Sequence, residues 1–158
     1  VYKRQTLDYY GEGRIRLKRV IVSICSIQRD HHGQELKLEL VSAGKYYEKD
    51  GTRYFVYKES EITGMEGVTT VIKVQADGTL VLLRLGKIRN RQEYKVGKLC
   101  KSLYETPFGA MEISMKTYEC KVELNDGIGE IRLVYDVLLG ELASTYNQLI
   151  FTVREDKS

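Results

Sequence analysis

The stretch Lys45–Val74, KYYEKDGTRYFVYKESEITGMEGVTTVIKV, decides the fold. Asp50-Gly51 separates two runs rich in tyrosine and β-branched residues, Tyr46–Lys49 and Thr52–Glu59. Asp-Gly between alternating strands is a strong hairpin signal, because a type I′ turn needs positive φ at both central positions. The connection Ser60–Gly67 follows, and then Val68, Thr70, Ile72 and Val74 alternate with Thr69, Val71 and Lys73. Alternation with a period of two is the mark of a strand, not a helix.

The same grammar continues in both directions. Upstream, Val20–Ile24 is apolar on both faces, as in a strand buried on both sides. Leu36, Leu38 and Leu40 alternate with Glu35, Lys37 and Glu39. Downstream, Asp77-Gly78 and Asp126-Gly127 repeat the hairpin device. Met111, Ile113 and Met115 share one face, continued by Tyr118, Cys120, Val122 and Leu124. Ile131, Leu133, Tyr135, Val137 and Leu139 form the next, and Leu142–Val153 is the last strand. Pro107 falls at a strand boundary, where its missing N–H costs no ladder bond. Turn signals recur about every ten residues, and no segment holds a 3.6-residue period. The pattern predicts an all-β fold, a sandwich or a barrel, and the consecutive tight turns favour a single antiparallel up-and-down barrel of about eight to ten strands. Closure disposes of exposed sheet edges.

A chain of 158 residues fits one domain with an adequate core. The net charge of +3 is too small to imply nucleic acid as a partner. Cys25, Cys100 and Cys120 lie far apart and form no CxxC pair, which fits free thiols in a reducing cytoplasm. No apolar run approaches the roughly 18 residues of a membrane span. Residues 1–17 are polar and lack an apolar signal-peptide core. VYKRQ is what GTG TAT AAG AGA CAG would encode, a string similar to a transposase adapter, and Gly11-Glu12-Gly13 could be a translated ribosome-binding site ahead of a start at Leu17. The expected organisation is therefore a disordered, non-native extension over 1–17, a barrel over 18–154 and a tail over 155–158.

The blocks YYEKDGTRYFVYKE (Tyr46–Glu59), GMEGVTTVIKV (Gly64–Val74), LLRLGKIRNRQEY (Leu82–Tyr94), YETPFGAMEISMKT (Tyr104–Thr117) and VYDVLLGE (Val134–Glu141) resemble the YwiB-like family of small bacterial proteins. The resemblance spans about Lys18 to Arg154. It implies a calycin-like β-barrel in the cytoplasm, in a family of unknown function. The chain has no tryptophan, so it lacks the Gly-x-Trp motif of lipocalins.

No catalytic constellation emerges, and a non-enzymatic protein is expected. His31 and His32 are adjacent in a polar turn, where extended neighbours point apart and do not share a metal. No nucleophile has an evident histidine base. Gly64-Met65-Glu66-Gly67 lacks the Gly-Lys-Ser/Thr ending of a phosphate loop, so no cofactor is expected. The informative residues are polar groups set into alternating strands. Arg84 interrupts the Leu80/Leu82 face, and Arg91 lies in mid-strand. An inward arginine would need a carboxylate, with Glu59 or Glu66 available, or would receive an anionic ligand. Tyr57, Tyr104 and Tyr135 would then wall a small-molecule site at the barrel mouth. Structural ion pairing is the plainer alternative. A second reading makes the basic stretch Arg84–Lys101 a surface for nucleic acid or protein. Homodimerisation through the outer sheet stays open.

Overall fold

The computed structural model describes residues 8–10, 15–60, 63–140 and 143–157. Among them run eleven strands: β1 (Asp8–Tyr10), β2 (Ile15–Arg29), β3 (Glu35–Lys49), β4 (Thr52–Lys58), β5 (Thr69–Val74), β6 (Leu80–Leu85), β7 (Arg89–Tyr94), β8 (Leu99–Thr106), β9 (Gly109–Asn125), β10 (Ile128–Leu139) and β11 (Ala143–Glu155). From β3 to β11 each strand pairs with its neighbour in sequence, and β2 lies between β11 and β3. The result is a closed, antiparallel, up-and-down barrel of ten strands, with β1 added to the start of β2.

The turns follow their chemistry. Asp50 and Gly51 have φ of 51° and 80°, and Asp126 and Gly127 repeat those values, as type I′ turns require. Asp77-Gly78 differs from expectation. Only Gly78 has positive φ there, and its N–H donates to Gln75 O at 3.0 Å. A three-residue loop, with its last residue left-handed, replaces the two-residue turn.

Alternation places residues correctly except where the register slips. Tyr135 pairs with Thr117 and Val134 with Glu119, so Tyr118 is the extra residue of a β-bulge. Thr117 is buried and Tyr118 faces out, whereas simple alternation puts Tyr118 on the inner face with Cys120. Tyr118 Oη instead donates to Asp136 Oδ2 at 2.6 Å.

The ends of the domain also differ. Asp8–Tyr10 pairs with Ile15–Leu17, so part of the segment expected to be disordered joins the sheet. Backbone pairing needs no apolar alternation, which is why composition missed it. Residues 1–7, including the adapter-like VYKRQ, and Gly11–Gly13 lie outside the described residues. At the other end β11 continues to Glu155, and Asp156 N donates to Arg19 O at 3.2 Å.

The interior is layered. Val20, Val22, Phe55, Ile72, Val74, Leu80, Leu82, Ile131, Leu133, Phe151 and Val153 form a dry core toward the end that carries the Asp-Gly turns. Phe55 and Phe151 meet edge to face at 5.4 Å. Burying each such side chain contributes about 1.5–3 kcal/mol. Tyr46 packs over Gly127, and Lys18 pairs with Asp126 at 2.7 Å, closing that end. No described helix is long and apolar enough to cross a membrane.

Candidate ligand site in the barrel mouth

Above the apolar layer the inward positions turn polar. Cross-strand register places Tyr57 beside Thr70, Thr70 beside Arg84, Arg84 beside Asn90, Asn90 beside Tyr104 and Tyr104 beside Met111. A second row joins Thr117, Tyr135, Asn147 and Gln28 across β9, β10, β11 and β2. These residues have the same inward parity as the core beneath them, buried at Thr70, Asn90, Thr117 and Asn147 and exposed at the rim at Gln28 and Met111.

A cavity of about 320 Å³ opens among them, lined by Gln28, Arg84, Gln92, Tyr104, Ile113, Tyr135 and Asn147, with Met111, Val137 and Leu139. Its volume falls in the range of about 300–1,000 Å³ typical of ligand pockets. Among the described residues no carboxylate belongs to its lining. The wider depression of about 1010 Å³ on the outer wall, beside β2, β3 and the end of β11, mixes Arg19, Arg154 and Lys157 with Glu155 and Asp156. Charges of both signs there select no ligand.

Arg84 is the cation of the cavity. Its Nη1 donates to Asn90 Oδ1 at 3.3 Å, while its Nε is buried without a hydrogen-bond partner. Among the described residues no carboxylate lies within ion-pair distance of it. Glu59, expected as a partner, is buried but engaged elsewhere: Thr70 Oγ1 donates to its Oε2 at 2.5 Å. An unsatisfied buried donor costs about 1–3 kcal/mol.

The phenols around it are held neutral. Burial, then the negative charge of Glu59, push the Tyr57 hydroxyl far above its usual range, and Arg84 offsets only part of that. Burial also raises Tyr135, and burial with the neighbouring Tyr135 raises Tyr94. Tyr94 Oη donates to Gln92 Oε1 at 2.6 Å, and the Tyr94 and Tyr135 rings meet edge to face at 4.8 Å.

The expected site residues therefore divide. Arg84, Tyr104 and Tyr135 line one cavity. Tyr57 and Glu59 are buried beside it, in the same belt but not in its lining. Arg91 is outward, because Asn90 and Gln92 take the inward positions of β7, and it pairs with Glu93. Glu66 is exposed in the turn before β5 and meets neither arginine. Gln28 and Asn147 were not singled out. Their signal was a polar residue at an inward step of an alternating strand.

The basic stretch is weaker than its sequence suggests. Arg84 leaves it for the interior, and Arg91 and Lys95 both pair with Glu93. The rings of His31 and His32 lie 4.0 Å apart on the exposed turn, brought together by its bend. Among the described residues no group of three metal-ligating side chains converges. Cys25, Cys100 and Cys120 are free thiols.

Residues 22–150 match the family model described as Domain of unknown function (DUF1934). The chain is 27% identical over 122 residues to the "Uncharacterized beta-barrel protein YwiB" of Bacillus subtilis (strain 168), covering 77% of this chain and 83% of that protein. The crystal structure of the ywiB protein from Bacillus subtilis matches with a TM-score of 0.79 and 23% identity, over 89% of this chain and 93% of that one. The structural likeness is one of fold.

Proposed function

Because the chain belongs to the DUF1934 family, whose description assigns no function, we propose its role from the cavity: it binds a small organic anion at the barrel mouth. The protein is a binding module and not an enzyme, and it works in the cytoplasm, which the three free thiols favour. One observation carries the reading. Arg84 brings a positive charge into a pocket whose described lining holds no carboxylate, and keeps a buried N–H unpartnered. A fold that gained nothing from this arrangement would do better with an apolar residue there. Tyr104 and Tyr135 supply the flat walls.

Thermal unfolding with and without benzoate, acetate or an aromatic sulfonate tests the proposal. A ligand of the native state raises the midpoint in proportion to ln(1 + [L]/Kd). Benzoate is expected to raise it in the wild type and not in Arg84→Met. If no carboxylate or sulfonate raises the midpoint, or if Arg84→Met responds equally, the proposal fails.

A further inference from the structure

The order of residues around the lumen says more about the ligand, on the premise that the mouth binds an anion. Arg84 stands on β6 and Asn147 on β11. In a ten-strand barrel they are five strands apart in either direction, on opposite walls. Between them, on β8, β9 and β10, the wall is Tyr104, Ile113 and Tyr135. It is aromatic and apolar, with a polar group at each side.

The two polar sides offer different chemistry. Arg84 offers N–H donors and a positive charge. Asn147 offers the reverse. Its Nδ2 donates to Thr145 O at 3.0 Å and to Thr145 Oγ1 at 3.1 Å. That commits its amide hydrogens and fixes the carboxamide, leaving Oδ1 as an acceptor that receives no hydrogen bond among the described residues. Oδ1 is not among the buried orphan atoms, so it remains accessible. An accessible, preoriented acceptor selects a ligand that carries a donor.

Charge and size narrow the class. Among the described residues no lysine and no second arginine lines the cavity. A phosphate monoester carries about −1.5 to −2 at neutral pH, more than one guanidinium balances. The volume lies at the low end of the ligand-pocket range, which suits a compact ligand such as a single substituted ring and not a long chain.

We infer that the ligand is a one-ring aromatic monocarboxylate bearing a hydrogen-bond donor on the side of the ring away from the carboxylate. Its carboxylate sits on Arg84, its ring lies along the Tyr104–Ile113–Tyr135 wall, and its donor meets Asn147 Oδ1.

Four probes test this by calorimetric titration of the full chain: 4-hydroxybenzoate, 4-methoxybenzoate, benzoate and cyclohexanecarboxylate. The hydroxy compound is expected to bind about fivefold tighter than the methoxy compound, the ratio one net hydrogen bond supplies. Benzoate is expected to bind tighter than cyclohexanecarboxylate. In Asn147→Leu the hydroxy/methoxy ratio should fall to about one, while the benzoate/cyclohexanecarboxylate preference persists. If that variant does not fold, the wild-type ratios decide. Equal affinities across the four probes, with binding still lost in Arg84→Met, would overturn this inference and leave anion binding intact. Absence of binding by all four overturns this inference, and with no midpoint shift from acetate or the aromatic sulfonate it overturns anion binding as well.

Discussion

Asn90 and Ser102 occupy the place where ladder hydrogen bonds would run between β7 and β8. Asn90 Nδ2 donates to Ser102 Oγ at 2.6 Å and to Leu103 O at 3.0 Å, and Ser102 Oγ donates to Arg91 O at 2.7 Å. Backbone register on this seam pairs only Arg89 with Glu105 and Asn90 with Tyr104. Two buried side chains thus do the work of several main-chain bonds. Ser102→Ala leaves Arg91 O and the Asn90 amide short of partners, and is expected to cost about 1–3 kcal/mol in urea unfolding. Hydrogen exchange should find the amides of this seam less protected than those of the β10–β11 ladder, which pairs from Gly129 to Leu139. Equal protection on both ladders would show that the splayed seam is as well held as the rest.

The opposite end of the barrel depends on the absence of a side chain. A Cβ added at Gly127, where φ is +80°, would lie 2.5 Å from Tyr46 Cδ2. Gly33 also has positive φ, but a Cβ there would meet open space. Gly33→Ala isolates the conformational strain, about 1–2 kcal/mol. Gly127→Ala adds displacement of a buried ring and should lose at least about 2 kcal/mol more, in line with other overpacked cores. Matched losses from the two variants would mean that Tyr46 swings aside freely.

Alkali is the predicted weakness of this interior. Burial raises the phenol of Tyr46 to about 12, and raises Tyr57, Tyr94 and Tyr135 as well. In the unfolded chain these groups ionise near pH 10, at about the free tyrosine value. Between that pH and the raised folded values the unfolded state binds fewer protons than the native state, so stability falls as pH rises. It is fully present below about pH 10, and each buried phenol that stays neutral removes up to about 1.4 kcal/mol per pH unit above it. With 12 tyrosines and no tryptophan, tyrosinate absorbance is easily read. Several phenols should resist titration until the chain unfolds, and Tyr135→Phe should flatten the loss of stability with pH. Ionisation of all 12 in one step near pH 10, without unfolding, would contradict the burial argument.

The fold was legible because alternation and Asp-Gly turns are local signals. Leu36, Leu38 and Leu40, or Ile131, Leu133 and Tyr135, announce their face without help from the rest of the chain. The bulge at Tyr118 was not legible, because a single extra residue is set by the partner strand Val134–Tyr135. Nor was the pairing of Asp8–Tyr10, which rests on backbone bonds. Within the site, Arg84 could be read because it breaks an apolar face. Arg91 could not, because β7 is polar on both sides and only its neighbours fix which side is inward. Asn147 escaped notice because an amide in a strand looks unremarkable until the barrel closes and sets it opposite an arginine.

Replacing Arg84 separates structural from functional roles. In the free protein its Nε is buried without a partner, and its bond to Asn90 is long at 3.3 Å. Methionine keeps an unbranched, adaptable stem and has no charge to desolvate. Arg84→Met is therefore expected to leave stability unchanged or raise it by about 1 kcal/mol, since it removes a partly buried charge with no ion-pair partner among the described residues, together with its unmet hydrogen bond. The same change should abolish the midpoint shift given by benzoate. Equilibrium urea unfolding of both proteins, with and without benzoate, measures both quantities. A gain in stability coupled to a loss of binding is the pattern of a residue retained against the interest of the fold. A loss of more than about 2 kcal/mol without ligand would instead assign the guanidinium to the polar belt. The anion reading would then lose its main support.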